Sequence, residues 1–214
     1  MGIEFLSNDH LRTYGHFHSA LTLGDLEQHC LLSAPDLERV LERRSDHSRL
    51  GFAAQLATLK LLQTFPRDFS NTPQNLIDHI ALQMSINPSV LPRYLERRPT
   101  RFEHQRKIWV HLEYREFTGA PVISAIRWLF AKLKLADERP IDLFNALVAE
   151  LIKRRVELPA ASTLVQLIVK TRLLYSKILE LSSSGKLVWA KFRAALLTIR
   201  SRSSSTMSGH DGSV

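Results

Sequence analysis

The stretch Arg43-Arg44-Ser45-Asp46-His47-Ser48-Arg49-Leu50-Gly51-Phe52-Ala53-Ala54-Gln55-Leu56 decides the fold, because a dense polar run passes directly into an apolar one. Three arginines and a histidine fall within seven positions, with Asp46 alone to balance them. A helix starting at Asp46 or His47 places Leu50, Ala53, Ala54, Ala57 and Leu61 on one face, the i, i+3, i+4, i+7 spacing of a buried stripe. Asp46 is the expected N-cap, since its carboxylate accepts from unpaired amides and suits the positive end of a helix. The helix is expected over residues 47–64, closed by Pro66.

Upstream, the segment from Thr22 to Cys30 begins a short helix. Ser33-Ala34-Pro35-Asp36 opens another over residues 35–44, with Ser33 as cap, Pro35 in the first turn and Leu37, Val40 and Leu41 facing inward. Downstream, Asn71-Thr72-Pro73 reads as a start, with Thr72 as cap and Pro73 at the first helical position. Leu76, Ile77, Ile80, Ala81 and Met84 then form a stripe. Ser85-Ile86-Asn87-Pro88 breaks that helix, and Asn87 caps a short one over 88–97 that carries Arg93, Tyr94, Arg97 and Arg98. Two short helices joined so tightly have the dimensions of a helix-turn-helix. Thr100 caps a third helix, with Glu103 three residues on, running to about residue 112 and carrying Arg101, His104, Arg106 and Lys107.

The remainder reads as helices over 121–136, 140–155 and from Ser162 or Thr163 to 181. Alternating strand patterns and Asn-Gly or Asp-Gly turns are missing, so the expected class is all-α: a multi-helix bundle with helix-turn-helix-like elements. The expected division is 1–118, 119–185 and a basic, Ser-rich flexible tail over 186–214.

The chain has 214 residues with 44% hydrophobic content, enough for a core, and carries 29 Lys plus Arg against 21 Asp plus Glu, a net charge of +8. Such an excess favours an anionic partner, either nucleic acid or a membrane surface. Cys30 is the single cysteine, which excludes an internal disulfide and a thiolate zinc site and suits a reducing compartment. No basic-then-apolar leader opens the chain, and no apolar run is long enough to span a bilayer. The nine histidines form no HExxH or Cys/His array, and no Gly-rich phosphate loop or GxSxG occurs. No cofactor, metal or catalytic group is therefore expected.

The arginine clusters carry the functional reading. Arginine offers a planar fork of donors that suits phosphate oxygens and guanine edges. Arg43, Arg44 and Arg49 lie at a helix start, where backbone amides also favour phosphate. The plain alternative is a solvated face with ion pairs to Glu38, Glu42 and Asp46. For Lys153-Arg154-Arg155, a helix C-terminus that favours cations through its dipole is the plain alternative.

Residues 42–65, ERRSDHSRLGFAAQLATLKLLQTF, resemble a segment of the replicative transposases of the Tn-three (TnpA-type) family, which reads RR-G-D-H-N-R-L-G-F-A-x-Q-L. Ser45 stands for Gly and Ser48 for Asn. TRFEHQRKIWVHLEYREF, residues 100–117, is similar to the family's T-R-x-x-H, I, L-G-Y-R-x-F, with Glu113 where Gly is usual. The resemblance covers about residues 10–185. It implies an N-terminal, non-catalytic DNA-binding region that docks double-stranded DNA at the transposon's terminal inverted repeats, in a bacterial cytoplasm and on the nucleoid when bound, with self-association through the rest of a transposase.

On that basis Arg43, Arg44, Arg49, Arg101, Arg115 and Lys153 are expected on phosphates, and His47, Arg106 and Lys107 at the same interface. Arg93, Arg97 or Arg98 would meet base edges, with Tyr94 packed on the backbone or a thymine methyl. A helical protein-interaction module, or a truncated transposase acting as a regulator, is the competing expectation.

Overall fold

Ser45, extended at φ −131° and ψ 150°, releases the chain into the central helix of the first of two compact units. The computed structural model describes residues 14–17, 21–66, 69, 71–96, 98–135 and 139–183. The first unit comprises Met1–Glu116 with Leu151–Ala160, and the second Phe117–Glu150 with Ala161–Val214. The expected tail lies outside the described residues.

In the first unit, α1 (Leu23–His29) and α2 (Ala34–Leu41) each start in a capping box, Thr22 with Asp25 and Ser33 with Asp36. α3 runs Asp46–Leu62, α4 Gln74–Gln83, α5 Leu91–Leu95 behind a 3-10 turn at Pro88–Val90, and α6 Arg98–Leu112. The other five helices all pack on α3. That corrects the expected one-sided stripe, for every residue from Leu50 to Leu59 is buried, Gln55 and Thr58 included. A helix enclosed by neighbours has no solvent face to keep polar. Full burial of Leu50, Phe52, Leu56 and Leu59 contributes about 1.5–3 kcal/mol for each side chain.

The helix starts need correction too. Ser45, not Asp46, is the N-cap of α3. Its hydroxyl lies 3.0 Å from Ser48 Oγ and 3.2 Å from a His47 ring nitrogen, so it does not cap the backbone. The two serines that depart from the family pattern thus bond to each other. Pro73 takes the cap position of α4, one residue after the expected Thr72. Thr100 lies inside the first turn of α6, because a proline at position 99 needs no amide partner there and the helix begins at Arg98. α2 stops at Leu41, leaving that expected core residue 59% exposed.

Residues 151–160 complete this unit by backbone pairing. Arg115 N donates to Arg155 O and Glu157 N to Arg115 O, both at 2.9 Å, forming an isolated parallel bridge between Arg115 and Val156. Half-buried Glu157 accepts from Trp109 Nε1 at 3.0 Å and Phe65 N at 3.3 Å, and Leu158 N donates to Gln63 O. Burial raises the Glu157 carboxyl above the usual range despite these donors.

The second unit consists of α7 (Ala120–Leu135), most of α8 (Pro140–Lys153) and α9 (Ala161–Ser183). Ile126, Leu129 and Phe130 of α7, Leu143, Phe144 and Leu147 of α8, and Leu164 and Ile168 of α9 are buried. The Phe130 ring meets Tyr175 edge-on at 5.9 Å. Among the described residues no helix is long and apolar enough to cross a membrane.

Candidate nucleic-acid interface

The site is built on one buried carboxylate. Asp36 of α2, 1% exposed, accepts from Lys60 Nζ of α3 at 2.5 Å and lies 2.8 Å from His111 Nε2 of α6, besides the 2.6 Å bond from the Ser33 hydroxyl. Burial alone would raise its carboxyl, but Lys60, Ser33 and His111 together hold it at about 2. The three helices are thereby pinned with the ends of α2 and α6 facing each other across a groove of about 560 Å³. Arg39, Arg43, Arg106 and Lys107 line it, against Glu42 and Glu103, with Phe52 and Val110 as apolar walls.

Beneath the groove lies a ladder of rings. Arg43 sets its guanidinium 5.2 Å over Phe52, which meets His104 edge-on at 5.1 Å, and His104 stacks on Tyr94 at 5.5 Å. Tyr94 Oη and His104 Nδ1 are 3.0 Å apart. Burial, reinforced by the Arg43 charge, lowers His104 to about 4, so it is neutral at pH 7; burial pushes the Tyr94 phenol up. The Tyr94 ring also explains Gly51. A Cβ there would sit 2.2 Å from Tyr94 Cδ1, so only glycine lets α5 lie against the backbone of α3.

Tyr94 is 1% exposed, which corrects the expectation that it touches DNA: its polar tip is used by His104 inside the core. Arg43, with 11% of its side chain exposed, bonds Glu42 at 2.6 Å, and its Nε is buried without a partner among the described residues. Arg49 is tied inward, Nε to Arg43 O at 2.9 Å and Nη1 to Asp46 at 3.3 Å. His47 is half-buried beside Ser45, whereas Arg44 is exposed. Arg93 is exposed on α5; Arg97 lies outside the described residues, as does the side chain of Arg98.

Arg106 and Lys107 are exposed on α6, Lys107 paired with Glu103 at 2.6 Å. Arg115 reaches the Arg154 carbonyl at 3.1 Å, and Lys153 is exposed at the end of α8.

Of the expected residues, Arg43, Arg106 and Lys107 thus meet at one groove. The sequence reading missed Arg39, which is hidden in the alternating charges of α2, and the exposed apolar pair Phe102 and Val110, visible only as large side chains at i and i+8 among charged neighbours. A second cavity of about 410 Å³ takes Arg101 and Gln105 from α6 and Gln55 from α3. There Gln55 Oε1 and Arg101 Nε are buried without partners among the described residues, an acceptor and a donor that water can satisfy. No group of three or more His, Cys, Asp or Glu side chains that could hold a metal ion occurs among the described residues.

The family described as a domain of unknown function, DUF4158, matches residues 5–171. The chain is 35% identical over 174 residues to the transposase for transposon gamma-delta of Escherichia coli (strain K12), covering 80% of this chain and 17% of that protein. It is 31% identical over 145 residues to the transposase for transposon Tn1546 of Enterococcus faecium, covering 68% and 15%. With the transposase for transposon Tn501 of Pseudomonas aeruginosa it shares 30% identity over 140 residues, covering 65% and 14%. The chain spans at most about a sixth of the length of these curated relatives.

Proposed function

The chain belongs to the DUF4158 family and is related to Tn-three family transposases, and from that premise we propose that it binds duplex DNA sequence-specifically at the terminal inverted repeats of a transposon. It would act as a non-catalytic part of the transposition machinery, with the cutting chemistry supplied by residues outside this chain. The observation that carries the reading is the groove between α2 and α6, which presents the exposed cations Arg39, Arg106 and Lys107, with Arg43 held over Phe52 in its wall. Guanidinium forks there suit phosphate oxygens, and Arg44 adds an exposed cation beside α3.

The test is fluorescence anisotropy of a labelled terminal-repeat duplex, and of a scrambled duplex of the same composition, over a salt series. About four neutralised phosphates give a slope of roughly −4 in log affinity against log salt, with the repeat preferred. Equal weak binding to both duplexes removes the sequence-specific reading.

A second reading, a protein-interaction module, is favoured by Leu173 and Leu179 on α9, 60% and 52% exposed. It predicts association that hardly responds to salt.

A further inference from the structure

We propose that the solvent-facing ridge of α6, formed by Phe102, Arg106 and Val110 with Glu103 and Lys107 beside it, reads base edges in the major groove; this rests on the DNA-binding reading above and adds the reading element. The first three residues stand at i, i+4 and i+8 and so share one side of the helix. Phe102 is 62% and Val110 81% exposed, while His104 and Ile108 turn into the core. No hydrogen bond or ion pair engages Arg106 among the described residues. Phe102 and Val110 flank Arg106, so this side of the helix offers apolar groups and a guanidinium together.

Charge decides the kind of partner. Arg106 and Val110 of the ridge, with Glu103 and Lys107, line the groove in which four cations face two carboxylates, a balance that suits a polyanion, while Phe102 lines the cavity that holds Arg101. The order of groups along the ridge also fits a run of base pairs: arginine bonds guanine O6 and N7, a carboxylate accepts from cytosine N4, and apolar side chains pack on the thymine methyl. From Phe102 to Val110 the helix rises about 12 Å, a span of about three to four base pairs. α6 has fifteen residues to lay along a groove. α5, the helix expected to read bases, has five; its Leu91 and Tyr94 are buried in the packing against α3, which leaves Arg93 as its exposed cation.

The experiment is selection by the full chain from a duplex pool with a randomised centre, followed by anisotropy of the enriched duplex against a scrambled one. It is run for the wild type, Phe102→Ala, Arg106→Ala, Val110→Ala and Arg93→Ala, with circular dichroism to confirm that each variant is folded. Arg106→Ala is expected to lower the enriched-to-scrambled affinity ratio by about fivefold or more. Arg93→Ala is expected to weaken both duplexes alike.

Replacing thymine by uracil in the enriched site removes the C5 methyl. The wild type loses affinity, and Phe102→Ala or Val110→Ala abolishes that sensitivity. An unchanged ratio in all three ridge variants overturns the ridge as the reader while DNA binding stands. Failure of the wild type to enrich any duplex overturns the DNA-binding reading itself, and the ridge assignment with it.

Discussion

Arg43 precedes α3 and Arg49 lies in its first turn, next to the stretch Leu50–Leu59 that is buried throughout, and both are drawn into holding it: one lies over Phe52 and bonds Glu42, the other bonds the Arg43 carbonyl and Asp46. Arg106, on a helix with one face in the core and one in water, is exposed and engages nothing described. In the sequence the first group is the denser cluster and draws the eye. The contrast teaches that local charge density does not by itself mark a binding surface. A guanidinium next to a fully buried helical stretch is recruited to close its packing, and one on a half-buried helix stays in solvent.

The sharpest way to break this contrast is at Gly51. If the first cluster is architectural because α5 is pressed onto α3, then Gly51→Ala drives a Cβ into the Tyr94 ring and costs about 3 kcal/mol or more, read as a lower thermal midpoint. An unchanged midpoint would show that the ladder beneath the groove does not depend on this close approach.

The next effect is set by pH. His104 is held at about 4 against its ordinary 6.5, by burial first and then by the Arg43 charge. Below pH 6.5 the unfolded chain takes up a proton that the folded one refuses until about pH 4, so stability is constant above 6.5 and falls as the pH drops from 6.5 towards 4. The loss is of the order of 3 kcal/mol. His104→Gln should flatten that stretch of the denaturation profile; an equally steep profile in the variant would assign the loss to another group. Asp36, held at about 2 against 3.8, adds its own loss only below 3.8, as its carboxylate is protonated, so the two regions separate on the pH axis.

Arg43→Ala is expected to cost about 1–2 kcal/mol in chemical denaturation, through the lost stacking on Phe52 and the lost packing of its stem. Arg106→Ala should stay within about 0.5 kcal/mol while weakening DNA binding. Equal stability costs for the two would erase the distinction between the clusters. The smallest effect sharpens the family comparison. Glu113 occupies φ +57°, the left-handed region that favours glycine, with a 3.3 Å ion pair to Arg155 for compensation. Glu113→Gly should raise stability by about 0.5–1 kcal/mol, since an exposed pair of that length contributes little; a loss would show that the Arg155 contact outweighs the strain.

Much of this architecture is legible in the residues. Ser33 and Asn87 cap the starts expected of them. The stripe from Leu76 to Ala81 is buried as its spacing requires, and the longer helices fall close to their expected bounds. The site was less legible. Tyr94 is expected at DNA beside Arg93, Arg97 or Arg98 because tyrosine next to arginine suits nucleic acid, yet the ring is a core element fixed by Gly51 and His104, forty-three and ten positions away. Asp46 and Ser45 both suit the start of a helix by residue type, so type alone does not single out Ser45 as the cap of α3.

The sequence by itself determined an all-α protein, the order of its helices, the basic excess and the kinship of its two motifs, because helix spacing and capping act within a turn or two of the chain. Only the tertiary structure decided which charges remain available. The return of residues 151–160 to the first unit through Glu157 and the Arg115 bridge, the pinning of α2 and α6 by Asp36, and the exposure of the α6 ridge all depend on partners far apart in the chain. Burial and hydrogen bonding of a polar side chain are properties of the packed neighbourhood, and no local periodicity encodes them.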